Sequence, residues 1–231
     1  MTVSLPGLAT RFRDDKSGLA LLEFAFILPV FLTMTLTGAE LTNYITAKLR
    51  ISQLALHIAD DAARMGSGSQ LASKRITEAD INDLFTGAQM QSGELDLQKN
   101  GRVILTDLEP TANPNTAGTY KIGWRRCYGA KTTYARQYPA NNTTTGLTGI
   151  GPVGRQVTAQ DDNATMFVEV FYTYVPLVGR GTLAPTTTFV EFASMAVRDR
   201  RDLSDDSATT NLHPNGVYRV PGVTASTCPG G

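Results

Sequence analysis

The sequence predicts an α+β protein: a long N-terminal helix that begins as a membrane span, a short second helix and an antiparallel sheet. Three observations support this prediction. The run from Leu19 to Leu41 is almost entirely apolar. Apolar residues then recur at helical steps of three and four as far as Gly66. After residue 95 the period changes to two, which is typical of half-buried strands.

The apolar run predicts a transmembrane helix. About 20 residues, each rising about 1.5 Å, cross the ~30 Å hydrocarbon core of a bilayer. From Leu19 to Ala39 the run carries one charge, Glu23, which lies close to its start. A carboxylate in such a segment is costly and therefore indicates a functional residue. Basic residues precede the run, so the positive-inside rule places the N-terminus in the cytoplasm.

A cleavable secretory signal is the competing interpretation of the same run. Thr37 and Ala39 are small enough to form a weak cleavage site for a signal peptidase. Against this, the run is longer than the usual ~7–15 apolar residues of a signal, and it contains a glutamate. Pro29 predicts a kink, which membrane helices tolerate.

The helix is predicted to continue beyond the membrane as an amphipathic segment over residues 42–66. Its apolar face consists of Ile51, Leu54, Ala55, Ile58, Ala62 and Met65. Gly66 is a suitable C-cap, because a glycine readily adopts the left-handed conformation there. The whole helix would have about 45 residues and a length of about 70 Å. One half would lie in lipid, and the other would pack along a folded body.

A second, short helix is predicted after Thr77, which is a favourable N-cap residue. Ile81, Leu84 and Phe85 supply its apolar face. Strands are then predicted over residues 95–97, 103–108, 120–128, 166–175 and 186–197. Asn100-Gly101 predicts a hairpin turn between the first two strands, and the last two are predicted to be antiparallel neighbours.

The chain therefore divides into parts of distinct character. They are a cytoplasmic leader (1–18), a transmembrane helix (19–41), its amphipathic extension (42–66), an α+β periplasmic domain (67–198) and a polar C-terminal tail (199–231). Between the third and fourth strands lies a long loop, residues 131–163, which is either functional or mobile. The charged run at the start of the tail is interpreted as a solvated surface stretch.

The two cysteines, Cys127 and Cys228, have a spacing that fits no zinc or redox motif. In a cytosolic protein they would be two unrelated buried thiols. In an exported body they could form a disulfide that closes a loop of about 100 residues.

Composition and motifs argue against several functions. Acidic and basic residues balance at a net charge of zero, which disfavours a nucleic-acid partner. His57 lies near Asp60 and Asp61 on the polar side of the helix, but the pattern supplies no third metal ligand. No nucleophile arrangement and no phosphate-binding glycine loop is evident. We therefore predict no metal, no cofactor and no enzymatic activity.

The start of the long helix has a family resemblance. Gly18, four apolar residues, Glu23 and Phe24 resemble the processing site of type IV pilin-like proteins. More closely, SGLALLEFAFILPVFL and the later LRISQLALHIADDAARMG resemble TadE-like proteins, the pseudopilins of the bacterial tight-adherence (Flp-type) pilus. The resemblance covers residues 16–66.

The resemblance implies a pilin-like domain and cleavage after Gly18 by a prepilin peptidase, which would make Leu19 the new N-terminus. It further implies a place in the bacterial inner membrane. The implied partners are other pilin-like subunits and the pilus assembly machinery.

Elementary chemistry gives these residues a role. Glycine has no side chain to obstruct a peptidase at the scissile bond. The amine of a processed Leu19 and the carboxylate of Glu23 would each be costly alone in lipid, whereas as a pair they compensate one another. The simpler alternative is that Glu23 lies close enough to the membrane surface to stay hydrated.

Two functions follow from these patterns. The first is a structural pseudopilin that acts by helix packing. The second is a single-pass anchored periplasmic binding or sensor domain, which would use the 131–163 loop as its ligand surface. An enzyme whose catalytic group is not evident is a weaker third possibility.

Overall fold

The computed structural model describes residues 17–68, 72–139, 143–178 and 187–229. The basic residues of the predicted leader lie outside the described residues. The helices are α1 (Ser17–Arg64), α2 (Glu78–Ser92) and α3 (Leu97–Asn100). The strands are β1 (Ile76–Thr77), β2 (Gly101–Pro110), β3 (Tyr120–Tyr128), β4 (Thr165–Thr173), β5 (Thr188–Ala196) and β6 (Val217–Tyr218). The protein is therefore α+β, as predicted.

Contacts divide the chain into two compact units. The first holds α1 as far as Tyr44 together with Pro176–Val178 from the β4–β5 connection. The second holds the remainder of α1, the other helices and the sheet.

Helix α1 has 48 residues and continues through Pro29. Threonine hydroxyl groups in its apolar half donate hydrogen bonds to backbone carbonyls one turn earlier. Thr33 Oγ1 donates to Pro29 O at 2.7 Å, and Thr37 Oγ1 donates to Thr33 O at 2.7 Å. These polar groups are therefore satisfied within the helix and need no water.

The second half of α1 is amphipathic, as predicted. Its buried residues are Ala47, Ile51, Leu54, Ala55, Ile58, Ala59, Ala62 and Ala63. Many are alanines, which allow a helix to approach its neighbours closely and favour the helical backbone. The helix ends at Arg64, and Gly66 follows with φ +106°.

The main sheet has four antiparallel strands in the order β3-β2-β4-β5. The two central strands, β2 and β4, are buried along almost their whole length. The predictions of β3 and of the β4–β5 pairing are confirmed, with Val170 opposite Glu191 in the register.

The two faces of the sheet are covered by different parts of the chain. Helix α2 covers one face, where Phe85 stacks on Tyr128 at 5.5 Å between ring centroids. Its start is fixed by a capping box, in which Thr77 and Asp80 bond each other's backbone N–H. On the opposite face, Ile104 and Phe171 pack against the 131–163 loop and the C-terminal tail.

The predicted strand at residues 95–97 and the hairpin turn after it are wrong. Gly93–Leu95 forms a 3-10 turn, and α3 begins at Leu97. Asp96 lies between them in the left-handed region, with φ 48° and ψ 70°. Leu97 is buried by this helical turn, so its alternation with Leu95 did not reflect a strand.

The tail contains regular structure that the sequence did not predict. Strand β6 pairs in parallel with β1, with Ile76 opposite Val217. Strands of two residues are too short to show a period, and their partners lie far apart in the chain. The pairing holds the tail beside the start of α2.

Two glycines should respond oppositely to alanine substitution. A Cβ at Gly123 in β3 would lie 2.7 Å from Asp107 Oδ2 and closer still to Glu109 Oε1, whereas Gly87 in α2 has nothing within 4 Å. We expect Gly123→Ala to lower the free energy of unfolding by about 1–3 kcal/mol. Gly87→Ala should raise it by about 0.5–1 kcal/mol through helix propensity. Urea unfolding followed by the fluorescence of Trp124 measures both, and equal effects would contradict the proposed close packing.

Candidate functional site

The first half of α1 exposes its apolar side chains. From Gly18 to Ala39 every residue is exposed except Leu28, which is half-buried. The helix is long and apolar enough there to cross a membrane, by length and composition. The largest exposed side chains include Leu21, Phe26, Val30, Phe31 and Met34.

The residues of the predicted processing motif lie together at the start of this exposed helix. Gly18 has open space where a side chain would begin. Leu19 and Glu23 are four residues apart and therefore lie on the same side of the helix. Phe24 is 60% exposed. The residues of the motif are thus exposed on a regular helix.

A second carboxylate, Glu40, lies at the end of the apolar half of α1. The sequence patterns indicated no role for it. Glu40 is only 1% exposed. Its Oε2 accepts hydrogen bonds from the backbone N–H of Leu177 at 2.8 Å and of Val178 at 3.0 Å. The only signal in the sequence was a charge at the end of an apolar run, because its partners are 137 and 138 residues away.

Cys127 and Cys228 are joined in a disulfide, with 4.8 Å between their Cα atoms. Cys127 is buried beside Ile104 and Phe171, and its N–H donates to Ser226 O at 2.8 Å. The bond therefore ties the edge strand β3 to the end of the C-terminal tail.

A pair of carboxyl groups is buried where β2 bulges beside β3. Asp107 and Glu109 both lie against Gly123, and Lys121 Nζ pairs with Glu109 Oε2 at 2.9 Å. Burial raises the pKa of Asp107 well above its usual value, and the neighbouring charge of Glu109 raises it further. Arg201 and Lys121 oppose that shift without reversing it. Asp107 therefore holds its proton more tightly than an exposed aspartate.

The charged run that begins at Arg198 is largely exposed, as predicted, but Arg201 within it is an exception. Its side chain is buried and donates hydrogen bonds to the carbonyls of Ala62 and Met65 at the end of α1. Burial lowers the pKa of Arg201 to about 10. A cation at these carbonyls satisfies acceptors that a helix end leaves free and complements the helix dipole.

Glu169 is a fully buried carboxyl on the face of the sheet that packs against the 131–163 loop. Its oxygens accept from the N–H groups of Gln137 at 2.7 Å and of Tyr138 at 3.3 Å. Burial nevertheless raises the pKa of Glu169 to about 7, against those hydrogen bonds and the charges of Arg125 and Arg136. The carboxyl group thus anchors the 131–163 loop to the sheet.

Aromatic side chains of the same loop also pack on the sheet. Tyr134 stacks on Phe171 at 5.3 Å, and Tyr138 meets Phe192 edge to face at 5.2 Å. Ile150 is buried among the residues of this face. These side chains of the described loop therefore pack on the sheet, whereas others, such as Val153, are exposed.

No cluster of three or more potential metal ligands occurs among the residues that the structure describes. His57, the histidine considered as a ligand, lies with its Nδ1 3.3 Å from Gln91 Oε1 on α2. Asp60 instead pairs with Arg64 and Arg198. These contacts join α1 to α2 and to Arg198.

Comparisons with known proteins identify no relative. No family model matches the chain, and no curated protein and no solved structure is significantly similar to it. The properties of its own residues therefore carry the functional argument.

The burial of Glu169 predicts a pH-dependent stability. Its pKa rises from 4.5 to about 7 on folding, so the folded state holds the proton more tightly. The stabilisation is complete below pH 4.5 and is lost as the pH rises through about 7, by up to about 3 kcal/mol. Glu169→Gln removes this titration, so the wild-type advantage over the variant should shrink between pH 4.5 and 8.

Urea unfolding of the detergent-solubilised full chain at several pH values measures that difference. Glu94→Gln alters an exposed carboxylate and is the matched control. A difference between wild type and Glu169→Gln that stays constant across this pH range would contradict the prediction.

Proposed function

We propose that this protein is a non-enzymatic, membrane-anchored pseudopilin that supports assembly of a tight-adherence (Flp-type) pilus. One observation carries the proposal. A single continuous helix presents a bare apolar surface over its first half, with Glu23 on it, and packs its second half into a folded body. That division suits a subunit anchored in lipid whose exposed helix is available to other helices.

The proposed mechanism is helix-to-helix packing in the bilayer. Residues 19–41 are the span, and Leu19 becomes the N-terminus after a prepilin peptidase cuts behind Gly18. Its new amine pairs with Glu23, either in the same subunit or in a staggered neighbour. Because neither charge is tolerable alone in lipid, the pairing favours association in one register.

The proposed location is the bacterial inner membrane, with the N-terminus in the cytoplasm and the body in the periplasm. The basic leader supports this orientation. The bond between Cys127 and Cys228 also supports it, because disulfides persist in oxidising compartments such as the periplasm. The proposed partners are pilin-like subunits and the assembly machinery, and no nucleic acid is among them.

An anchored binding or sensor domain is the alternative. It would need the 131–163 loop as a ligand surface, yet Tyr134 and Tyr138 are engaged with the sheet. The packed loop therefore gives this alternative less support than the bare helix gives to the pseudopilin.

The proposal predicts a mature N-terminus at Leu19. Gly18→Val should block cleavage, because the side chain would crowd the scissile bond, while membrane insertion persists. N-terminal sequencing of membrane-extracted protein checks both expectations. A first residue of Glu40 would identify a secretory signal instead, and an intact N-terminus in the wild type would exclude processing.

Replacement of Glu23 by glutamine separates assembly from folding. Glu23→Gln keeps the shape of the side chain and removes its charge, so the processed amine loses its partner. We expect normal abundance and processing, with loss of co-purification with pilin-like subunits and of pilus-dependent surface attachment. Glu94→Gln, in an exposed part of the body, should leave all four properties unchanged.

Wild-type attachment and complex formation by Glu23→Gln, at matched expression, would refute the pairing mechanism. A fall in abundance would instead show that Glu23 serves stability.

A further inference from the structure

Glu40 fastens a short piece of the β4–β5 connection to the end of the apolar helix. The N–H groups of Leu177 and Val178, from which Glu40 Oε2 accepts hydrogen bonds, belong to the same compact unit as the first half of α1. Hydrogen bonds to a carboxylate are stronger than those between neutral groups. Two of them on one oxygen therefore fix the position of Pro176–Val178 against the helix.

The position of Glu40 along the helix coincides with one edge of the proposed span. Leu19 and Glu40 are 21 residues apart, so they are separated by about 32 Å along the axis, close to the thickness of the hydrocarbon core. Tyr44 follows one turn later, and Lys48 follows Tyr44 by another turn. Tyrosine is enriched where a helix leaves the hydrocarbon for the headgroups, and the charged Lys48 lies beyond that level.

The segment that Glu40 holds at this level exposes an apolar side chain. Leu177 is 65% exposed although the carboxylate fixes its backbone. Leu41, which follows Glu40 in the helix, is 49% exposed. A leucine kept in water gains nothing from this arrangement, whereas at a membrane surface its side chain could enter the boundary between headgroups and acyl chains.

We propose that Pro176–Val178 is a second membrane contact, in which Leu177 inserts into the lipid surface at the outer end of the span. The partner is the bilayer itself, because Glu40 holds the segment at the end of the exposed apolar stretch of α1. Glu40 is the positioning residue, since it binds the segment's backbone and leaves the leucine free. This inference rests on the membrane span of the proposed function and is independent of pilus assembly.

Site-directed spin labelling of the full chain tests the proposal. Leu177→Cys carries the nitroxide, and the protein is reconstituted into vesicles of phosphatidylethanolamine and phosphatidylglycerol. The native disulfide leaves the added thiol as the one to react. Accessibility to oxygen, which concentrates in lipid, is compared with accessibility to a water-soluble nickel chelate. Val30→Cys is the reference within the span, and Val153→Cys, at a residue 99% exposed, is the aqueous reference.

We expect the label at position 177 to lose nickel accessibility relative to position 153 and to gain oxygen accessibility toward that of position 30. A label at 177 as nickel-accessible as that at 153, while position 30 remains in lipid, would overturn this inference and leave the span intact. Water at position 30 as well would show that the span, and the proposed function with it, is wrong.

The role of Glu40 is tested in the same vesicles. Glu40→Ala removes both acceptor bonds, so the label at 177 should become nickel-accessible while the label at 30 stays unchanged. Glu40→Gln keeps an acceptor oxygen of the same reach and should preserve most of the lipid contact. An unchanged label at 177 in Glu40→Ala would overturn the positioning role.

Discussion

The structure depends on one helix that satisfies its own backbone hydrogen bonds over 48 residues. A span in lipid has no water to bond free N–H and C=O groups, and an α-helix meets that requirement internally. The same helix continues without a break beyond its apolar half, where buried alanine and isoleucine side chains replace the exposed leucine and phenylalanine. Side-chain chemistry, with no change of backbone, therefore distinguishes the two halves.

Distant segments bind this helix at two points, its C-terminal end and Glu40. At the C-terminus the buried guanidinium of Arg201 bonds the carbonyls of Ala62 and Met65. Partway along, Glu40 reaches out of the helix to backbone N–H groups. In both cases an ionisable group is removed from water and compensated by fixed peptide groups. Hydrogen bonds between ionisable side chains and backbone groups thus attach distant segments of the chain to its long helix.

The long elements were predictable because each repeats a period many times. The helix, β3 and the β4–β5 pair show clear patterns of apolar residues. The two-residue strands β1 and β6 and the helical turn at Leu97–Asn100 were not predictable, since each is shorter than the window that a period requires. Buried ionisable residues were missed for another reason. Asp107, Glu169 and Arg201 look like surface residues in sequence, and only tertiary contacts supply their partners.

The disulfide has a topological consequence for the durability of the body. Cys127 and Cys228 are 101 positions apart, and the intervening chain includes β4, β5 and the 131–163 loop. A single break of the backbone anywhere in that interval yields two pieces that remain covalently joined. The N-terminal piece keeps α1 and Cys127, and the C-terminal piece keeps Cys228, so the disulfide holds the two pieces of a nicked molecule together. Separation of the two pieces therefore requires reduction of the disulfide as well as cleavage of the backbone.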